Sequence, residues 1–126
     1  MKAQVSVEFM IIAILLLGTI STISVMSIIK SREIEIFNVR LEAENVLTNT
    51  ANRINTVYLE GEGFIINVTL PQSIRGFNYS VSTNSNFLVI TVLTESFSRN
   101  LITNVTGNLA KGSNMLKNVN GEVRVL

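Results

Sequence analysis

The stretch from Phe9 to Ile29 limits what this chain can become: 21 consecutive residues carry no charged side chain. As a helix it would be about 32 Å long at roughly 1.5 Å per residue, close to the hydrocarbon thickness of a bilayer, about 30 Å. The core helix of a small soluble domain seldom needs so much unbroken apolar surface, so the stretch is expected to cross a membrane. Lys2 followed by apolar sequence also has the outline of a secretory signal peptide. However, no small-x-small cleavage site follows, and the helical pattern runs on past Lys30. The segment is therefore expected to stay in the mature protein.

With 126 residues the chain has room for one domain and one appended element. Beyond Lys30, apolar residues recur at Ile36, Val39, Ala43, Val46, Leu47, Ile54 and Val57 with Arg and Glu between them, which is helical spacing. Neither Gly nor Pro occurs between Leu41 and Glu60, and Gly61 and Gly63 are the first strong stop signals. Residues 1–8 read as a polar leader and junction, residues 9 to about 60 as one helix, and the remainder as a β-rich head. A helix of about 50 residues spans about 75 Å. So small a domain cannot bury all of it, and part must cross a membrane, pack in a bundle, or both. Periodicity leaves open whether the stripe beyond Lys30 meets its own head or other copies.

After Gly63 the period becomes two, as strands require. Phe64, Ile66, Val68 and Leu70 form one face of a strand that Pro71 closes, with Asn67 and Thr69 toward solvent. Gly76 opens another, with Phe77, Tyr79 and Val81 on one side and Asn78, Ser80 and Ser82 on the other. The nearly all-apolar Phe87–Leu93 is expected to be a central strand covered on both faces. Asn120-Gly121, between Leu116, Val119 and Val123, Val125, is the strongest hairpin signal. Residues 94–110 stay open: Phe97, Leu101, Val105 and Leu109 have helical spacing, whereas the Thr, Ser and Asn content favours strand or loop. The expected fold class is α+β, a long N-terminal helix followed by a small antiparallel β head. Residues 61–126 are expected to fold as a unit when separated from the helix.

The net charge of +1 and the lack of a basic stripe with interleaved aromatics give no nucleic-acid footprint. The charges are nevertheless segregated. Residues 31–62 carry three Arg against six Glu, and residues 63–126 carry three Arg and two Lys against two Glu. An acidic middle and a basic head could pair between copies or simply be solvated. There is no Cys, His or Asp. Thiolate chemistry, nitrogen–sulfur zinc sites and ordinary acid–base pairs have no residues to act, and an EF-hand-type loop has no Asp. No nucleophile elbow or phosphate-binding glycine loop is present either. The expectation is a non-enzyme without cofactor or metal.

Directly ahead of the apolar run stands Gln4-Val5-Ser6-Val7-Glu8-Phe9. A carboxylate at the mouth of a membrane helix costs a few kcal/mol unless it reaches the head groups or a cation, so Glu8 is a functional candidate by default. Its bland reading is an interfacial residue snorkelling to water. Gln-x-Ser-x-Glu-Phe before a hydrophobic helix resembles the class III signal peptide of euryarchaeal type IV pilins, matching at Gln4, Ser6, Glu8 and Phe9. The resemblance implies a prepilin peptidase that cuts between Ala3 and Gln4, where Ala3 stands in place of the family's common Gly. Residues 1–3 would then be a cleaved leader, 4–60 the N-terminal helix and 61–126 the head. It further implies that Glu8 of one copy neutralises the new α-ammonium of Gln4 in a neighbour as helices leave lipid for a filament core. In low dielectric such a pair is strong but costly to desolvate, so it should set axial register more than add net stability.

Gly18, Ser21, Ser24, Ser27 and Ser31 could let helices approach closely, although a Ser-rich composition explains them equally. Asn67-Val68-Thr69, Asn78-Tyr79-Ser80 and Asn104-Val105-Thr106 are candidate N-glycosylation acceptors. Asn67 and Asn78 fall on expected solvent faces. The favoured expectation is a structural, adhesive filament subunit whose partners are copies of itself or other pilins, the peptidase and, before assembly, membrane lipid. The alternative is a single-pass envelope protein that never polymerises, or a minor pilin-like assembly component. Lys2 lies on one side of the apolar run and Lys30 and Arg32 on the other, so charge bias leaves orientation open. The resemblance places the head outside the cell.

Overall fold

The computed structural model describes residues 1–126. Helix α1 runs from Lys2 to Leu59. It therefore passes straight through the polar junction expected at residues 1–8. Seven strands follow: β1 Ile65–Leu70, β2 Tyr79–Asn84, β3 Phe87–Val92, β4 Glu95–Asn100, β5 Val105–Thr106, β6 Gly112–Val119 and β7 Glu122–Val125. The α+β class with a small, mainly antiparallel sheet region is what the change of period called for. The chain divides into two compact units, Met1–Asn38 and Val39–Leu126.

In the first unit α1 is exposed along its apolar run, with Phe9, Ile14, Leu17 and Ile23 each more than 60% accessible. The second unit contains the core. Val39, Ala43, Leu47, Thr50, Ala51, Ile54 and Val57 form the buried side of α1, recurring every three or four residues as one helix face requires, with Thr50 and Ala51 both one turn beyond Leu47. They pack with Val68, Leu70, Leu88, Ile90, Leu116 and Val123 from the strands and Ile74 from the β1–β2 connection. The stripe left open above thus meets the chain's own sheets from Val39 onward, while Ile36 stays 42% exposed. The compact unit begins inside the helix, not at Gly61.

The strands form two sheets, ordered β1-β6-β7-β5 and β2-β3-β4. All pairings are antiparallel except the two-residue β5–β7 pair, which is parallel. The sheets meet where the Thr83 hydroxyl donates to the Gly107 carbonyl at 3.1 Å and the Val105 N–H to Ser85 O at 2.9 Å. Gly107 sits at φ 100, and a Cβ there would lie 3.0 Å from the Val125 carbonyl oxygen. Only glycine allows the approach of the β5 end to β7.

Strand β3 is central in its sheet, as expected, but it is not covered on both faces. Leu88, Ile90 and Val92 are buried, whereas Val89 and Thr91 are half-buried and Phe87 is 42% exposed. The reason is that helix cover lies on one face only, and the other carries Ser80, Ser82, Ser96 and Ser98 from the flanking strands. Leu93 has left the strand for the two-residue turn to β4, at φ 57. In the Asn120-Gly121 turn both residues have positive φ, 54 and 80, as a type I′ hairpin demands. Residues 94–110 are β4, β5 and their loops. Phe97, Leu101, Val105 and Leu109 do point inward or are buried, but so does Thr103. The burial period is two, and a spacing of four is a multiple of two as well as about one helical turn.

Candidate functional site

The motif residues Gln4, Ser6, Glu8 and Phe9, with Ala3 before them, lie in the first turns of α1 and are all exposed. Gln4 and Glu8 are four residues apart and so share a side of the helix. No cation lies within 4.0 Å of Glu8; the chain's ion pairs are Arg40–Glu95 and Arg75–Glu42. Within a single copy Glu8 is therefore a free carboxylate where the uncharged run begins.

For such a run to sit in hydrocarbon, its own polar groups must be satisfied internally. Four of its five hydroxyls do this by donating to carbonyls one turn back: Thr19 to Leu16 O at 2.8 Å, Ser21 to Leu17 O at 2.8 Å, Thr22 to Gly18 O at 2.9 Å and Ser24 to Ile20 O at 2.9 Å. Ser31 donates to Ser27 O in the same way at 2.9 Å. These side chains form an apolar-compatible surface without needing a neighbouring helix. The helix is long and apolar enough to cross a membrane.

The sequon asparagines belong to the second unit. Asn67 is exposed on β1 and its Oδ1 accepts the Ser113 hydroxyl at 2.7 Å. Asn78, just before β2, is exposed and accepts from the Lys111 ammonium. Asn104, just before β5, is also exposed. In Asn67 and Asn78 these bonds engage Oδ1 and leave Nδ2, the nitrogen a glycan joins, unbonded.

Two buried asparagines went unnoticed in the sequence, where nothing distinguishes them from the chain's many surface ones. Asn118, 2% exposed, donates from Nδ2 to the Val57 and Tyr58 carbonyls, both at 3.1 Å, and accepts the Gly121 N–H at 3.2 Å. It supplies, from the sheet, a donor for Val57 O, which the helix end leaves unpaired, and a second donor for Tyr58 O beside the Gly61 N–H at 3.3 Å. Gly61, at φ 96, then turns the chain out of α1. Asn114, 4% exposed, donates to Ala110 O at 2.7 Å and Gly112 O at 3.0 Å and accepts the Ala110 N–H at 2.8 Å. The loop before β6 is thereby closed. Both roles are structural.

No family model, curated protein or solved structure matches the chain.

Proposed function

We propose that this chain is a structural subunit of an archaeal type IV pilus-like surface filament, made as a membrane-anchored precursor and assembled through α1. The observation that carries the reading is Gln4-x-Ser6-x-Glu8-Phe9 at the mouth of a 21-residue uncharged run. It is supported by the unpaired Glu8 carboxylate and by the exposure of the apolar helix side chains. Cleavage between Ala3 and Gln4 creates an α-ammonium, and Glu8 of a neighbouring copy neutralises it as the helices leave lipid. The pair sets register, because its attraction is largely offset by desolvation. The sheets face outward for adhesion, with Asn67, Asn78 and Asn104 as candidate glycan acceptors. No catalytic role, cofactor or metal enters the reading.

The test is the N-terminus of shed surface material, read by mass spectrometry. A first residue of Gln4 in filaments supports both processing and assembly. Met1 or Lys2 at that position overturns the assignment.

A further inference from the structure

Lys117 on β6 stands directly opposite Arg124 on β7. Like charges facing each other across an antiparallel pair repel and lower stability. Neither has a carboxylate within 4.0 Å, since the ion pairs of the chain are Arg40–Glu95 and Arg75–Glu42. The side chains alternate, so Lys117 and Arg124 lie on the outer face, away from buried Leu116, Asn118 and Val123. On its other side Lys117 is paired with Ile65 of β1, and Met115 precedes it by two residues on the same face. Ile65 and Met115 are 49% and 47% exposed. One sheet face thus joins two cations that make no ion pair to two exposed apolar side chains, with Glu122 the carboxylate on that face, at the far side of Arg124 from them.

A surface with an unpaired carboxylate beside apolar side chains lies on α1 just beyond the apolar run. Glu33 and Ile34 share one side of the helix with Phe37, four and three residues on, and Lys30 stands on the same side one turn before them. Ile34 is 60% and Phe37 57% exposed, and Glu33 has no cation within 4.0 Å. The segregation is chain-wide: residues 31–62 have an excess of Glu and residues 63–126 an excess of Lys and Arg.

We propose that the outer face of β1, β6 and β7 binds the Glu33–Phe37 side of α1 in a second copy of the chain. Glu33 lies between Lys117 and Arg124 and relieves their repulsion, and Phe37 covers Ile65 and Met115. This rests on the reading of the chain as a self-assembling subunit. The contact is heterologous, helix of one copy on sheet of the next, so every added copy presents a fresh helix and a fresh sheet face. Asn67 sits opposite Met115 on this same face. A sugar there would cover it, so Asn67 is bare in assembled material.

The chain has no Cys, which allows a clean cross-linking test in the full-length protein. Phe37→Cys in one tagged copy and Met115→Cys in a co-expressed copy should give a disulfide-linked pair under mild oxidation, whereas Met115→Cys with Ile14→Cys should not. In parallel, Lys117→Glu and Glu33→Lys should each lower filament yield several-fold at unchanged membrane level, and combining them should restore it. Glu35→Lys, on another side of the helix, should assemble as wild type. Abundant filaments with no Phe37–Met115 cross-link overturn the inference and leave self-assembly intact, as does a glycan on Asn67 in filaments. A cross-link in membranes that never yields filaments supports this interface and overturns the filament reading.

Discussion

At 2% exposure Asn118 spends its whole amide inside the fold, holding the last carbonyls of α1 and the N–H of the β6–β7 turn. Asn118→Ala leaves the Val57 carbonyl and the Gly121 N–H without partners, while Tyr58 O keeps only the Gly61 N–H, a cost of about 1–3 kcal/mol. Asn118→Asp keeps the shape but presents a carboxylate to the negative end of the helix, so it should be worse still. Thermal unfolding of the Val39–Leu126 unit should rank wild type above Ala above Asp, and Asp equal to wild type would remove the capping role. Tyr79 gives a pH-dependent counterpart. Its hydroxyl donates to Pro71 O at 2.5 Å, and burial pushes the phenol above its ordinary value of 10.0. The unfolded chain therefore loses this proton first as pH rises. The stability contributed is whole below pH 10.0 and is lost as pH climbs through the folded value. Tyr79→Phe should lose about 0.5–1.5 kcal/mol at neutral pH. It should also flatten the alkaline fall in melting temperature, and parallel curves for the two proteins would contradict the assignment.

Among the elements, α1 shows best what could and could not be read from residues alone. Its stop before Gly61 is legible because unbroken helical spacing and a left-handed glycine are local signals, whereas its start is not, since the polar residues of the first eight join the helix at Lys2. The destination of the Val39–Val57 stripe was not, since an apolar side of a helix looks the same whether it meets its own sheets or another molecule. Residues 94–110 were ambiguous because a spacing of four satisfies both helix and strand, and only the burial of Thr103 separates them. The Phe87–Val92 strand misled for a related reason: Phe87 and Val89 are apolar but lie on the uncovered face. The N-terminal motif is a run of neighbouring residues and can be read without a fold, whereas Asn114 and Asn118 are invisible in the sequence because their partners are backbone groups brought near by folding. One consequence concerns dissection of the chain. A fragment of residues 61–126 lacks the seven buried residues of α1 and leaves Leu88, Ile90, Leu116 and Val123 without cover, so it should show no cooperative melt. A fragment of residues 39–126 should melt cooperatively, and Ile54→Ala within it should cost about 2–5 kcal/mol. A cooperative melt from the shorter fragment would show that the sheets hold together without the helix.

Over the whole molecule, the proposed role separates two steps that a single variant can pull apart. Glu8→Gln removes a charge held near lipid, so insertion should be preserved or improved. In the proposed assembly it also removes the partner for the α-ammonium of Gln4. The variant should be cleaved, accumulate in the membrane and form few or no filaments. Glu8→Asp should be intermediate, and Glu44→Gln, at an exposed position without an ion pair, should assemble normally. Electron microscopy for filaments and immunoblotting for the membrane pool measure the two steps, and normal filament numbers from Glu8→Gln would favour a non-polymerising anchor.

The long helical contact inside the second unit also has a mechanical meaning. Val39 to Val57 lie along about 27 Å of helix at roughly 1.5 Å per residue. A pull along that axis loads their seven buried side chains together, in shear, instead of one after another as in peeling. Tension entering through α1 is then shared across the whole core, and the Val39–Leu126 unit should resist axial force better than force applied across its sheets. Single-molecule pulling from residue 39 against residue 126, compared with pulling between Thr69 on β1 and Asn100 on β4, an outer strand of each sheet, measures that difference. Equal unfolding forces in the two directions would mean the helix carries no special share of the load.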